Sequence, residues 1–209
     1  MNAGAWLTLA AMCALLASKR NEWRAGEWIF KPLASTGFIV SALQHGALDS
    51  AYGRAVLAAL AGSWWGDVLL IPKMKRAFLA GLGAFLLGHV AFAAAFVARG
   101  VAWPVSLAVG ALLCAPLALV RRWLMPHVPA AMKAPVMAYM AVITAMVSLA
   151  VGTVALRGNP YILLGAVSFY LSDLSVARDR FVVTEFNNKL WGWPLYFGAQ
   201  LVLAATVAR

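Results

Sequence analysis

Eight apolar runs follow one another along this chain, separated by short gaps that hold most of its Lys and Arg residues. A backbone that crosses hydrocarbon must satisfy its own N–H and C=O groups, so runs of this kind fold as helices. A hydrocarbon layer about 30 Å thick requires roughly 20 apolar residues per crossing. The runs lie at 3–17, 28–46, 52–72, 77–98, 104–124, 134–156, 160–177 and 190–208. Of the 209 residues, 64% are hydrophobic and 11% charged, outside the balance of a soluble domain. The expectation is an all-α polytopic membrane protein, one domain over 1–209 with eight transmembrane helices. The first run is short and is cut off by Lys19, Arg20 and Arg24. Its positive charge follows the apolar stretch and no small-residue cleavage site is evident, so it reads as a retained helix and not a removed leader.

Seventeen basic residues face seven acidic ones, a net charge of +10. The basic residues sit in the gaps between apolar runs instead of along one face, so they report topology and not a nucleic-acid partner. The gaps after runs one, three, five and seven share one side of the layer. They carry Lys19, Arg20, Arg24, Lys73, Lys75, Arg76, Arg121, Arg122, Lys133, Arg178, Arg180 and Lys189, against Arg54, Arg99, Arg157 and Arg209 on the other. By the positive-inside rule the first side is cytoplasmic and both termini are external. Cys13 and Cys114 fall inside runs one and five and read as small packing residues without a disulfide.

Two aspartates lie inside these runs, Asp67 in GSWWGDVLLIP and Asp173 in LLGAVSFYLSDLSVA. A carboxylate in hydrocarbon costs several kcal/mol, roughly 2.5 to 3.5 on insertion scales, so it faces a protein interior or a wet cavity. Helices three and seven run in the same direction, which places both aspartates in the cytoplasmic half. Lys31 opens run two from that side, so all three can share one cavity. The interval of 106 residues between the aspartates also carries helix three onto helix seven, the spacing of a parallel four-helix repeat. Gly62 and Gly66, with Gly81, Ala84 and Gly88, form small-residue stripes that let helices three and four approach closely and fix Asp67 in place.

The polar residues within the runs are few: Lys31, Asp67, His89, Asp173 and Gln200, with Ser63, Tyr139, Ser168 and Ser172 as weaker members. Packing roles compete at each. Asp67 and Asp173 can form ion pairs, His89 can be a hydrogen-bonded interior ring, and Gln200 an amide bridging helices. A zinc site ordinarily takes two or three His ligands with a carboxylate, but His45 lies at the outer end of helix two and His127 in a cytoplasmic gap. No GxSxG elbow is present. No metal or cofactor is therefore expected. Two desolvated carboxyls repel each other's charge, so one holds a proton while the other is ionised. That division suits reactions through an oxocarbenium ion and equally suits an aspartyl dyad that cleaves peptides.

The runs WWGDVLL, FLAGLGAFLLGHVAF, GAVSFYLSDLSVARDRF and YFGAQ, with the KP of FKPLAS at Lys31 and Pro32, resemble the YhhN family of lysoplasmalogenase-like membrane proteins. The resemblance covers helices two to eight in order, and GD, GLxxFxxGH and SDxxxxxxRF together are far more specific than any one alone. It implies an eight-helix enzyme of the bacterial inner membrane that cleaves the vinyl ether of a lysophospholipid to a fatty aldehyde and a glycerophospho-alcohol. Its proposed catalytic pair falls on Asp67 and Asp173, and Tyr139 is carried over from helix six.

On this reading Lys31 pairs with the lipid phosphate or with the ionised aspartate, His89 or Gln200 positions water, and Ser172 and Arg178 complete the substrate site. Asp67 has mostly apolar helix neighbours, whereas Asp173 precedes Arg178 and Arg180 within two turns. Asp67 is therefore the expected acid. The rival functions are a proton-coupled transporter and an intramembrane aspartyl protease. Helices three and seven lack the central Pro break of the first, and GDVLL and SDLS lack the Tyr-Asp and Gly-Leu-Gly-Asp signatures that the second would bring.

Overall fold

A computed structural model describes residues 1–72 and 74–208; Lys73 and Arg209, both counted in the charge comparison above, lie outside the described residues. The fold is all-helical. Its elements are α1 (Ala3–Arg20), α2 (Arg24–Gln44), α3 (Ala51–Leu69), α4 (Lys75–Arg99), α5 (Trp103–Leu124), α6 (Ala130–Arg157), α7 (Pro160–Ala177) and α8 (Phe186–Ala205). A 3-10 turn (Met125–His127) follows α5, and a π-helical turn (Arg178–Val182) follows α7. Among the described residues, four helices, α4 to α7, are long and apolar enough by length and composition to cross a membrane. Each apolar run became one helix, and most helices outreach their runs at the basic ends. Long Lys and Arg stems let a helix continue toward the interface while their charges stay wet.

Six helices form a closed ring in the order α2, α3, α4, α6, α7, α8, with α8 returning to α2. Helix α1 packs outside the ring on α2 and α8, and α5 packs outside on α6. Only Ser106 and Leu124 of α5 are buried. The pairings α1/α2, α2/α3 and α3/α4 recur as α5/α6, α6/α7 and α7/α8, and the halves join through α4/α6 and α8/α2. This arrangement agrees with the parallel repeat that the aspartate spacing suggests. Inside the ring, Phe38, Phe85, Phe92, Phe169, Tyr196 and Phe197 build an aromatic core. At the end away from the aspartates, Arg99 of α4 lies 4.5 Å over the Tyr52 ring and donates to the Thr206 carbonyl, while Tyr52 shares a hydrogen bond with Thr206.

The α3/α4 contact is the close approach expected from the small residues. Cβ atoms built at Gly62 and Gly88 would stand 3.2 Å from the Ala84 carbonyl and 3.1 Å from the Ala59 carbonyl. One at Gly66 would stand 2.5 Å from the Phe85 ring. The cysteines depart from expectation: Cys13 and Cys114 are both exposed on the outside of the bundle, and both are free. A residue compatible with hydrocarbon satisfies an outward position in a membrane helix as well as an inward one, so apolar character alone does not reveal the face.

Gly88→Val is expected to destabilise the fold by about 1–3 kcal/mol, because its branches would meet backbone across the α3/α4 contact. Gly83→Ala on the same helix, where nothing lies within 4 Å of the added Cβ, should be neutral or stabilising by up to about 1 kcal/mol. Thermal unfolding of both detergent-purified variants checks the contrast.

Candidate active site

Asp67 lies in the last turn of α3 and is 2% exposed. Its neighbours come from two other helices. Two turns into α2, Lys31 places Nζ 3.3 Å from Asp67 Oδ1 and donates to the Asp67 carbonyl at 3.1 Å. One turn farther along the same face of α2, the Ser35 hydroxyl donates to Oδ2 at 2.5 Å. From α8, the Tyr196 hydroxyl donates to the same oxygen at 2.6 Å. A cation and two hydroxyl donors surround this carboxyl, the setting of a carboxylate.

Asp173, on α7, is met differently. Tyr139 of α6 donates to Oδ2 at 2.7 Å, and Nε2 of His89 on α4 stands 3.5 Å from that oxygen. The other ring nitrogen, Nδ1, is 2.7 Å from the Phe85 carbonyl. A carbonyl only accepts, so Nδ1 carries a hydrogen, and in the neutral ring Nε2 turns a lone pair toward Asp173. His89 is held against Phe169, with ring centroids 4.4 Å apart. No Lys or Arg lies within salt-bridge distance of Asp173 among the described residues. The side chain is 17% exposed, against 3% for Asp67. Of the two aspartates, Asp67 is the one paired with a cation, and that cation comes from α2 instead of from its own helix.

The constellation follows the repeat of the fold. Lys31 and Tyr139, Asp67 and Asp173, and His89 and Tyr196 stand 108, 106 and 107 residues apart. Each aspartate therefore takes one partner from the helix before it and one from the last helix of the opposite half.

Both aspartates line one cavity of about 100 Å³. Its remaining wall is almost wholly apolar and comes from Leu70, Phe78, Leu82 and Phe85, from Val120 and Leu124 of α5, from Val136, Met140 and Ile143, and from Tyr170 and Trp193. Lys31 and Tyr139 join it there, as does Ser172, whose hydroxyl is turned back to the Phe169 carbonyl at 2.7 Å. Gln200 is fully buried one turn beyond Tyr196, and its amide makes no hydrogen bond among the described residues. Arg178 is not in the cavity wall. It binds Glu185 at 3.1 Å and Asn188 within the turn that follows α7. No group of three His, Cys, Asp or Glu converges among the described residues as a metal-ligand set would.

Ser35, Tyr196 and Trp193 were not singled out in the sequence. Helical spacing held the signal for the first two: Ser35 is four residues after Lys31, and Tyr196 four before Gln200.

A lysoplasmalogenase from Mycobacterium bovis is 32% identical over 156 residues, covering 72% of this chain and 58% of its own length. One from Mycobacterium tuberculosis aligns with the same identity and coverage. Lysoplasmalogenase TMEM86A of Bos taurus is 27% identical over 188 residues, covering 87% of this chain and 73% of its own length. The chain thus spans less than two thirds of the length of the mycobacterial relatives. No solved structure matches it. The YhhN family profile matches residues 26–207, which takes in both aspartates and every residue placed around them, and the chain belongs to that family.

Proposed function

We propose that this chain is a membrane hydrolase that cleaves the vinyl ether bond of lysoplasmalogens, with Asp173 as the acid and Asp67 as the anion. The observation that carries the reading is a pair of carboxyls with unlike partners on one narrow apolar cavity. The names of the relatives support the substrate class. An apolar cavity holds the alkenyl chain and limits water, which strengthens every charge interaction inside it.

The reaction needs little machinery. Asp173 passes its proton to the β-carbon of the vinyl ether, the C=C bond is consumed, and an oxocarbenium ion forms. Asp67, fixed as a carboxylate by Lys31, stabilises that cation. Water adds to it and gives a proton to Asp67. The resulting hemiacetal collapses as Asp67 returns the proton to the departing glycerol oxygen and Asp173 takes the hydroxyl proton. Aldehyde and glycerophospho-alcohol leave with both carboxyls in their starting states. Tyr139 orients the Asp173 carboxyl, and Tyr196 and Ser35 orient that of Asp67.

The proposal includes eight transmembrane helices, external termini and a site in the cytoplasmic half of a bacterial inner membrane. Exposed tryptophans support it. Trp28, Trp65, Trp123 and Trp191 lie at the helix ends nearest the aspartates, and Trp6 and Trp103 at the opposite ends. Two such bands mark the two interfaces of a bilayer. Reporter fusions after Lys75 and Arg122 should report cytoplasm, and fusions after Asp49 and Arg157 the outside. An external signal at Arg122 overturns this orientation.

Asp67→Asn and Asp173→Asn should each lower vinyl ether turnover by about a hundred- to ten-thousand-fold, since an amide neither donates a carboxylic proton nor carries charge. Turnover in heavy water should place one deuterium on the α-carbon of the aldehyde. Mass spectrometry of the product and rate assays on well-folded variants test both. Near-normal hydrolysis by either Asn variant sinks the two-carboxyl mechanism, and a transporter or a protease produces no labelled aldehyde.

A further inference from the structure

A second cavity, of about 310 Å³, adjoins the first. Lys31, Leu70, Phe78, Ser175, Val176 and Trp193 line both. Where the first is apolar, this one is charged: Lys19, Arg180 and Lys189 join Lys31, against Glu27 and Asp179. Each of the two acids already holds a lysine, Glu27 with Lys19 and Asp179 with Lys189, the latter at 2.6 Å. Lys31 is held by Asp67. Arg180 alone has no carboxylate within 4 Å among the described residues; its guanidinium lies 4.4 Å over the Phe78 ring.

The frame behind Arg180 is well braced. The π-helical turn is tied back by Asn188, which donates to Asp179 at 3.2 Å and to the Val183 carbonyl at 2.7 Å, and by Thr184, which donates to the Asp179 carbonyl at 2.8 Å. Asn188 is itself 1% exposed. Phe181 of the same turn packs edge-on against Phe78. The surface of this cavity therefore carries a planar, outward guanidinium and an ammonium with donors to spare beside Asp179, both next to the opening of an apolar slot.

We infer that this vestibule is a phosphodiester subsite, in which Arg180, assisted by Lys189, holds the head-group phosphate of a single-chain lipid whose tail lies in the apolar cavity. The identity of that lipid rests on the hydrolase reading above; the phosphate subsite is tested separately from it. An arginine fork matches two phosphate oxygens, and a lipid anchored there presents its first tail carbons beside Asp67 and Asp173. The same placement explains why Arg180, and not Arg178, would touch substrate: the π-helical turn directs one to the vestibule and the other to Glu185 and Asn188.

The full chain, purified in neutral detergent, is titrated with a lyso alkyl-glycerophosphoethanolamine, whose saturated ether resists hydrolysis, and with the matching alkylglycerol that lacks the phosphate. The phosphate lipid should bind about tenfold tighter or better, a gain typical of one charge-assisted contact. Arg180→Gln should remove most of that preference, and Arg180→Lys should keep part of it by retaining charge without the fork. Equal binding of the two lipids, or a full preference in Arg180→Gln, overturns the subsite. Displacement of the lipid by millimolar inorganic phosphate at constant ionic strength also overturns it, in favour of a free-anion site. Turnover of the alkenyl counterpart is followed in parallel. Preference without turnover refutes the hydrolase reading and leaves the subsite standing, and turnover without preference does the reverse.

Discussion

A carboxyl sealed among apolar helices can stay ionised only beside a cation, and the cation at Asp67 is Lys31, 3.3 Å away on α2. The pair joins α2 to α3 near the end of the bundle where the cavity lined by both aspartates lies. Buried ion pairs stabilise little compared with apolar packing, but removing one partner leaves an unpaired charge and costs about 3–5 kcal/mol. The contact therefore fixes a state more than it stabilises a fold. On the proposed mechanism it holds one aspartate as an anion, and the other polar contacts of that carboxyl converge on the same group. Ser35 and Tyr196 donate to the same carboxyl, while among the described residues Asp173 meets the Tyr139 phenol and the His89 ring.

The ring of helices makes this asymmetry possible with a nearly symmetric frame. Corresponding positions on α2 and α6, α3 and α7, and α4 and α8 supply the partners, offset by a nearly constant interval along the chain. What differs is chemistry at matched places. A lysine on α2 stands where α6 has a tyrosine, and a histidine on α4 stands where α8 has a tyrosine. Two carboxyls on one scaffold thereby meet different partners without different backbones, the condition under which their charges can differ.

The helices were legible in the sequence because long apolar runs bounded by basic gaps mark each one. The convergence of Asp67, Asp173 and Lys31 was legible too, since helix direction alone sets their depth. Helix faces were less so. Cys13 and Cys114 show that an apolar residue reads alike inward and outward. Tyr196 was hidden because a tyrosine near a helix middle carries no mark of function until a carboxyl is placed opposite, 129 residues away. The cation beside Asp67 was hidden for the same reason. Neighbours on one helix say little when the deciding cation comes from another, and Lys31 stands 36 residues from Asp67 along the chain.

On the proposed reading, the two cavities divide the demands that a single-chain lipid makes on a binding site. A tail requires apolar walls without water, and a carbon acid–base step works best in that same dry setting, where a fixed charge acts at full strength. A phosphate requires cations that remain hydrated. Placing both in one chamber would either flood the carboxyls or strip the head group. Here Lys31, Ser175 and Trp193 form the seam, with charged walls on one side and apolar walls on the other. Lys31 is suited to it, because an ammonium on a long apolar stem can neutralise a buried carboxylate while its stem lines hydrocarbon. If the two proposals hold, the boundary between recognition and reaction coincides with the ion pair of Lys31 and Asp67.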